Sequence, residues 1–210
     1  MNRRAMTKPH PLIAALLFAT PLLTALPGCQ QSGRPAPAAI TGTSIEGTPI
    51  GGAFNLIDKD GKPVTWDSFK GKYRIVYFGY TFCPDACPTD VGVTMQAMKK
   101  FEAAHPDLAA KVQPIFISID PARDTPARVG EFSAAFSPRL LGLTGSQEQV
   151  DQAVKAFRAV AAKGKQSGGG YLMDHSRIAY LMDPDGKPIE VLPVDKGAEA
   201  VASDLALSVQ

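Results

Sequence analysis

Two cysteines and one histidine carry most of the chemistry this sequence could perform. Cys83 and Cys87 lie in the stretch IVYFGYTFCPDACPTD, residues 75–90, with three residues between them. A spacing of four lets one helical turn bring both sulfurs to one face. Thiolates select soft metals, above all Cu(I), and an imidazole would complete a three-coordinate site. His175 is the candidate. It follows the glycine-rich stretch 164–170, read as a mobile loop, and so could swing onto a metal held by the cysteine turn. Of the two other histidines, His10 lies in the N-terminal leader, and His105 precedes Pro106 at a helix end and reads as a charge favourable to the helix dipole. Met173 lies two residues from His175 and a thioether can bind Cu(I), but core packing accounts for it better. Met95 and Met98 are spaced as helix core.

The same thiols admit other chemistry. A disulfide across three residues closes a very small loop and constrains the unfolded chain little, so a functional role outweighs a structural one. A structural zinc site is disfavoured: it takes four Cys or His ligands, and outside the leader and Cys29 the chain has four such residues in all, one of them the unpromising His105. A thiol–disulfide oxidoreductase is the main rival, although its motif has two residues between the cysteines rather than three. A peroxide-reducing enzyme, with Cys83 as nucleophile and Arg123 beside it, ranks last.

The elements that must position these groups follow from pattern. Residues 75–78 are apolar, β-branched and aromatic, as in a strand buried on both faces. A helical pattern begins near Pro88, with Val91, Met95, Met98 and Phe101 on one face, and closes at His105-Pro106. The thiols thus sit where a strand yields to a helix, a place that collects ligands and favours thiolate over thiol. Upstream, Asp60-Gly61 supplies the turn of a β-hairpin between 54–57 and 62–65, and 66–69 suit one helical turn. Downstream, 112–119 is a second strand with an exit loop containing Asp120, Arg123 and Asp124, read as a turn and helix cap. Thr125 with Pro126 opens a helix, 140–143 is a short strand, and Ser146 with Gln149 forms a capping box. Val150, Val154, Phe157 and Ala161 line the helix it starts. Strands at 177–182 and 188–194 pair across Asp183-Pro184-Asp185-Gly186, and a helix near 197–207 follows. This order describes an α/β fold of thioredoxin-like (peroxiredoxin-like) layout, a central sheet flanked by helices, with an added N-terminal β-hairpin.

The first residues describe an export signal. Arg3, Arg4 and Lys8 precede an apolar run over 11–26, then Leu26-Pro27-Gly28-Cys29. The expected organisation is a lipoprotein-type signal peptide at 1–28, a flexible spacer at 29–51 rich in Pro, Ala, Gly, Ser and Thr, and one domain at 52–210. Cys29 would carry the lipid, with the domain on the cell membrane facing the periplasm or cell exterior. Losing the three leader cations takes the 22 basic residues to 19, against 20 acidic ones. That balance gives no reason to expect a nucleic-acid partner.

Three motifs together resemble the Sco/SenC family, copper proteins of cytochrome c oxidase assembly. Phe82-Cys83-Pro84-Asp85-Ala86-Cys87-Pro88 looks like its CPDxCP signature. Ser118-Ile119-Asp120-Pro121-Ala122-Arg123-Asp124-Thr125 matches its second motif. Asp174-His175-Ser176, with Asp183-Pro184-Asp185-Gly186 after it, matches the third. The resemblance implies copper as the cofactor, with Cys83, Cys87 and His175 as ligands. It implies delivery of Cu(I) to the CuA-bearing subunit of a terminal oxidase, and contact with other copper chaperones or thiol-redox proteins. No substrate bond need be broken in such a role. It assigns Asp120, Arg123 and Asp124 to a motif without a ligand role that we can derive.

Overall fold

The structure is a computed structural model describing residues 39–167 and 170–210. The expected signal peptide, Cys29 and the spacer up to residue 38 lie outside the described residues. A short strand β1 (Thr43–Ser44) precedes a hairpin of β2 (Asn55–Ile57) and β3 (Pro63–Thr65). One 3-10 turn, Trp66–Phe69, leads into β4 (Tyr73–Gly79), whose seven residues are all buried. Helices α1 (Ala86–Ala104) and α2 (Pro106–Ala109) return the chain to β5 (Val112–Ser118). Then come α3 (Pro126–Phe136), β6 (Leu141–Leu143) and α4 (Gln147–Ala156). Strands β7 (Ala161–Ser167), β8 (Gly170–His175), β9 (Ala179–Met182) and β10 (Pro188–Val191) precede α5 (Ala198–Ser208).

Six strands form the central sheet in the order β1-β10-β9-β4-β5-β6. β4, β5 and β6 run parallel, and β9 lies antiparallel to β4 on its other side. Successive side chains of a strand face opposite ways, and β4 uses both faces. Tyr77 stacks on Phe116 and donates its hydroxyl to Asp90 of α1. Phe78 points the other way, against Phe157 after α4 and Tyr180 of β9. Each such buried aromatic contributes roughly 2 kcal/mol. Helices therefore cover both faces, as the thioredoxin-like layout requires. The helix starts are held as their sequences demand: Thr125 Oγ1 accepts from the Arg128 amide at 3.4 Å, and Ser146 and Gln149 complete a reciprocal capping box. No helix among the described residues is long and apolar enough to cross a membrane.

Three expectations need correction. α1 starts at Ala86, so Cys87 lies inside its first turn and Pro88 just after. The glycine-rich stretch is not a simple loop: β7 and β8 pair from Ala161↔His175 to Ser167↔Gly170. Ala161 belongs to this ribbon because α4 ends at Ala156 and Arg158, at φ +51°, turns the chain away. Backbone pairing needs no side-chain periodicity, which is why pattern missed it. Finally, the sheet reaches back into the expected spacer. β1 pairs with β10, and the Thr41 and Gly42 amides donate to the buried Asp204 carboxylate at 2.7–3.0 Å.

That edge contact carries a titratable group. Glu190 is fully buried, one oxygen accepting from Ser208 Oγ at 2.7 Å and the other unpaired among the described residues. A Cβ at Gly42 would lie 2.9 Å from that unpaired oxygen, so glycine is needed there. Burial pushes the Glu190 carboxyl up to about 7, and the nearby Asp204 charge acts the same way. The unfolded chain releases this proton near its ordinary value of 4.5. Between 4.5 and 7 the folded state therefore binds more protons, and stability falls as pH rises through that window. Denaturant melts should show a loss of up to about 3 kcal/mol between pH 4.5 and 7.5 from this group. In Glu190→Gln that part of the loss should vanish.

Candidate metal centre

The cysteine turn begins where β4 runs out. Gly79 ends the strand, and a Cβ there would lie 2.8 Å from Cys87 Sγ and 2.9 Å from the Phe116 ring. Glycine makes room for the sulfur. The turn is then pinned by a buried carboxylate: Asp124 accepts from the Thr81 amide at 3.0 Å and from the Thr81 and Ser118 hydroxyls at 2.6 Å each. At the start of α1 the amide of Cys87 donates to Cys83 Sγ at 3.3 Å. The first amides of a helix lack intrahelical partners, and no capping side chain is present, so the sulfur takes the place of a capping oxygen. Both cysteines are free thiols; Cys83 is half-buried and Cys87 is fully buried.

His175 reaches this turn because β9 pairs with β4. In that ladder Tyr77 faces Ala179, so residues preceding Ala179 run past the end of β4, above the cysteines. His175 Nε2 stands 3.3 Å from Cys87 Sγ and 4.0 Å from Cys83 Sγ. The three donor atoms all lie within 4.8 Å of one another. The other ring nitrogen, Nδ1, is 2.9 Å from the Ser176 carbonyl. A carbonyl can only accept, so in the neutral ring Nδ1 holds the proton and Nε2 turns its lone pair to the sulfurs. Tyr77 and Tyr80 meet the imidazole edge-on, with centroids 6.2 and 5.8 Å away. Behind the ring, Arg177 makes a two-pronged contact with buried Asp90 at 2.7 and 3.0 Å, and Tyr77 donates to the same carboxylate at 2.9 Å. Strand entry and helix are thereby tied on either side of the donors.

Electrostatics favour a cation between these groups. Burial pushes the Cys87 thiol far above its ordinary range, outweighing a backbone hydrogen bond at Tyr80 that acts the other way. The expectation that the helix N-terminus holds a thiolate therefore fails at Cys87: desolvation wins. Tyr77 is likewise held in its protonated form, first by burial and then by the neighbouring thiols and Asp90. An uncompensated thiolate is unfavourable here, whereas a soft cation would neutralise it. Two sulfurs and an imidazole nitrogen are donors suited to Cu(I).

Other residues singled out by sequence fall elsewhere. Met95 and Met98 are core, Met173 packs against the core, and His105 lies beside Phe101. The charge of Arg123 is paired with Asp120, so it is not free to stabilise a Cys83 thiolate as the peroxide-reducing reading asks. The expected strand-exit turn is present, with the Arg123 and Asp124 amides donating to the Asp120 carbonyl at 3.1 and 2.9 Å, but the Asp120 and Asp124 side chains are buried acceptors and the helix cap is Thr125. Sequence reasoning missed Asp90, Arg177 and Tyr171. A carboxylate one turn after Cys87 on an otherwise apolar helix face was the available signal for Asp90.

The sequence model of the SCO1/SenC family matches residues 42–210. The chain belongs to the SCO1/SenC family. Among the SCO1/SenC relatives, protein sco1 of Schizosaccharomyces pombe is 42% identical over 163 residues, covering 76% of this chain and 59% of that protein. SenC of Rhodobacter capsulatus is 41% identical over 168 residues, covering 78% and 72%. The chain spans about three-fifths of the length of the sco1 relative. Among solved structures, copper-bound ScoI of Bradyrhizobium japonicum has a TM-score of 0.66 at 40% identity, covering 76% of this chain and 99% of that one. Copper-bound ScoI of Arabidopsis thaliana gives 0.71 at 36%, covering 75% and 96%. A further structure, BsSco, is described as having a disulfide switch and belonging to a family of cytochrome c oxidase assembly proteins; it gives 0.55 at 26%, covering 81% and 98%.

The unequal burial of the thiols has a direct consequence. In the native, metal-free protein, brief treatment with iodoacetamide should label Cys83 first, with Cys87 reacting at least about tenfold more slowly until the chain is unfolded. Peptide mass spectrometry reads both sites; equal labelling of the native protein would contradict the geometry.

Proposed function

We propose that this domain is a copper metallochaperone that holds Cu(I) between Cys83, Cys87 and His175 and delivers it to the CuA centre of cytochrome c oxidase. The observation that carries this reading is the convergence of two sulfurs and an aimed Nε2 across 88 residues of sequence. Membership of a family with copper-bound relatives supports it. Loading replaces protons: Cu(I) joins the two sulfurs as thiolates and the neutral imidazole, and two thiol protons leave to solvent. Delivery is ligand exchange, in which a partner's donors take the ion one at a time and no covalent bond in a substrate breaks. A lipid on Cys29 would hold the domain at the outer side of the membrane, where a CuA-bearing subunit and other copper chaperones are accessible.

A second reading has its own support. The two sulfurs are close enough for small movements to join them, and one relative is described as having a disulfide switch. As a thiol–disulfide oxidoreductase the pair would reduce a partner's cysteines before metallation, with its own thiols oxidised to a disulfide. That chemistry does not need His175.

His175→Ala separates the two. Competition with a Cu(I) chelator should show a loss of about a hundredfold or more in copper affinity, while thiol–disulfide exchange with a model disulfide stays near the parent rate. Unchanged affinity would remove His175 from the site. Because Cys87 keeps its proton when metal-free, affinity should also rise with pH, by at least about tenfold per unit near neutrality. A flat profile would mean that Cys87 is not a ligand.

A further inference from the structure

The exit loop of β5 touches both halves of the candidate metal centre, although none of its side chains is a donor there. Asp124 holds the cysteine turn through Thr81. Asp120 and Arg123 hold the ribbon that carries His175. The Tyr171 hydroxyl donates to Asp120 Oδ1 at 2.7 Å, and Arg123 Nε donates to Asp120 Oδ2. Arg123 Nη1 donates to the Tyr171 carbonyl at 2.9 Å, and the guanidinium lies 3.7 Å from the centre of the Tyr171 ring. On its other side it meets the ring of Phe82, next to Cys83, at 4.8 Å. Arg123 is thus sandwiched between the cysteine turn and the ribbon.

The ribbon is held by few contacts, and this is one of them. Among the described residues, β7 and β8 pair only with each other and make no ladder to the six-stranded sheet. At its base, Ser176 holds Val160 through Oγ at 2.7 Å and its amide at 3.2 Å. Farther out, Tyr80 bonds the Met173 backbone, and Tyr171 provides the outermost polar attachment. Tyr171, Met173 and His175 alternate with exposed Leu172 and Asp174, so the first three share the inward face. His175, paired with Ala161, stands next to this base, so a swing of the ribbon moves the imidazole in the same direction as Tyr171 but through a smaller arc.

We propose that Arg123, with Asp120, is a releasable latch: clamped on Tyr171, it keeps the β7–β8 ribbon, and with it His175, closed over the cysteine pair. The inference rests on the copper reading and adds what governs release. Closed, the site has three donors. Unlatched, the imidazole leaves with the ribbon and the ion stays on two sulfurs, with a coordination position open to an incoming ligand. The contact suits reversible use. It is partly solvent-exposed on the Arg123 side, where a salt bridge is weaker than a dry one, and Arg123 Nη2 has no hydrogen-bond partner among the described residues. Arg123, Asp120 and Tyr171 are positioning residues that act through His175.

Two readouts test the latch. The first is transfer of Cu(I) from the loaded full chain to bicinchoninate. Arg123→Met should speed it about tenfold and Tyr171→Phe, which keeps the ring and loses only the hydroxyl, about threefold. In a His175→Ala background neither substitution should change the rate by more than about twofold, because the group they position is gone. Acceleration that persists without His175, or no acceleration with it, overturns the latch. The second readout needs no metal: amide hydrogen exchange across β8 should rise about tenfold in Arg123→Met while α1 keeps its protection. If His175→Ala does not alter transfer, the copper reading falls, and the latch then stands or falls on this exchange alone. Unchanged exchange in β8 overturns it, and faster exchange in α1 as well marks general destabilisation and overturns it too.

Discussion

One hydrogen bond decides what the cysteines face. With Nδ1 donating to the Ser176 carbonyl, the imidazole of His175 has a single open nitrogen, and that nitrogen points at both sulfurs. In the other neutral tautomer Nε2 would present an N–H to the thiols and could not ligate. The orientation comes from the residue next in sequence, so it survives any movement of the ribbon that carries the two together. Distant packing has to bring the ring close; it does not have to aim it.

Bringing the ring close falls to buried charge. Asp90 takes three hydrogen bonds, from Tyr77 and Arg177, and Asp124 takes three from Thr81 and Ser118. A buried carboxylate stripped of its partners is costly by several kcal/mol, so each of these groups fixes the elements around it strongly. Asp90 ties α1 to the strand entry after His175, and Asp124 ties the end of β5 to the turn before Cys83. Two parallel strands, β4 and β5, supply the rigid base on which both ties act. The ribbon lacks such a base, which leaves one donor on a more movable element than the other two. A carrier that must both retain and surrender an ion is served by that inequality.

Much of this was legible in local sequence. The Asp60-Gly61 hairpin, the Ser146–Gln149 box and the Thr125-Pro126 start each depend on residues within a few positions of one another, and each lies where pattern placed it. The strands β4 and β5 were visible because burial on both faces demands continuous apolar runs. The β7–β8 ribbon was not, since its glycines and lysines carry no alternation and its order comes from backbone pairing and from Tyr171. The roles of Asp90, Asp120 and Asp124 were hidden for a related reason. Their partners lie as far as 87 residues away, and a carboxylate looks the same in sequence whether it faces water or a buried hydroxyl. The Cys83, Cys87 and His175 cluster could be singled out because sulfur and imidazole chemistry restricts what such residues can do together, and the fold brings the three within 4.8 Å of one another.

The most direct test of the account is X-ray absorption at the copper edge on protein loaded with one equivalent of Cu(I) under reducing conditions. The account predicts a first shell of two sulfur scatterers and one nitrogen scatterer, with the nitrogen lost on replacing His175 by alanine. A shell of sulfur alone in the parent protein, or a nitrogen that persists without His175, would contradict it.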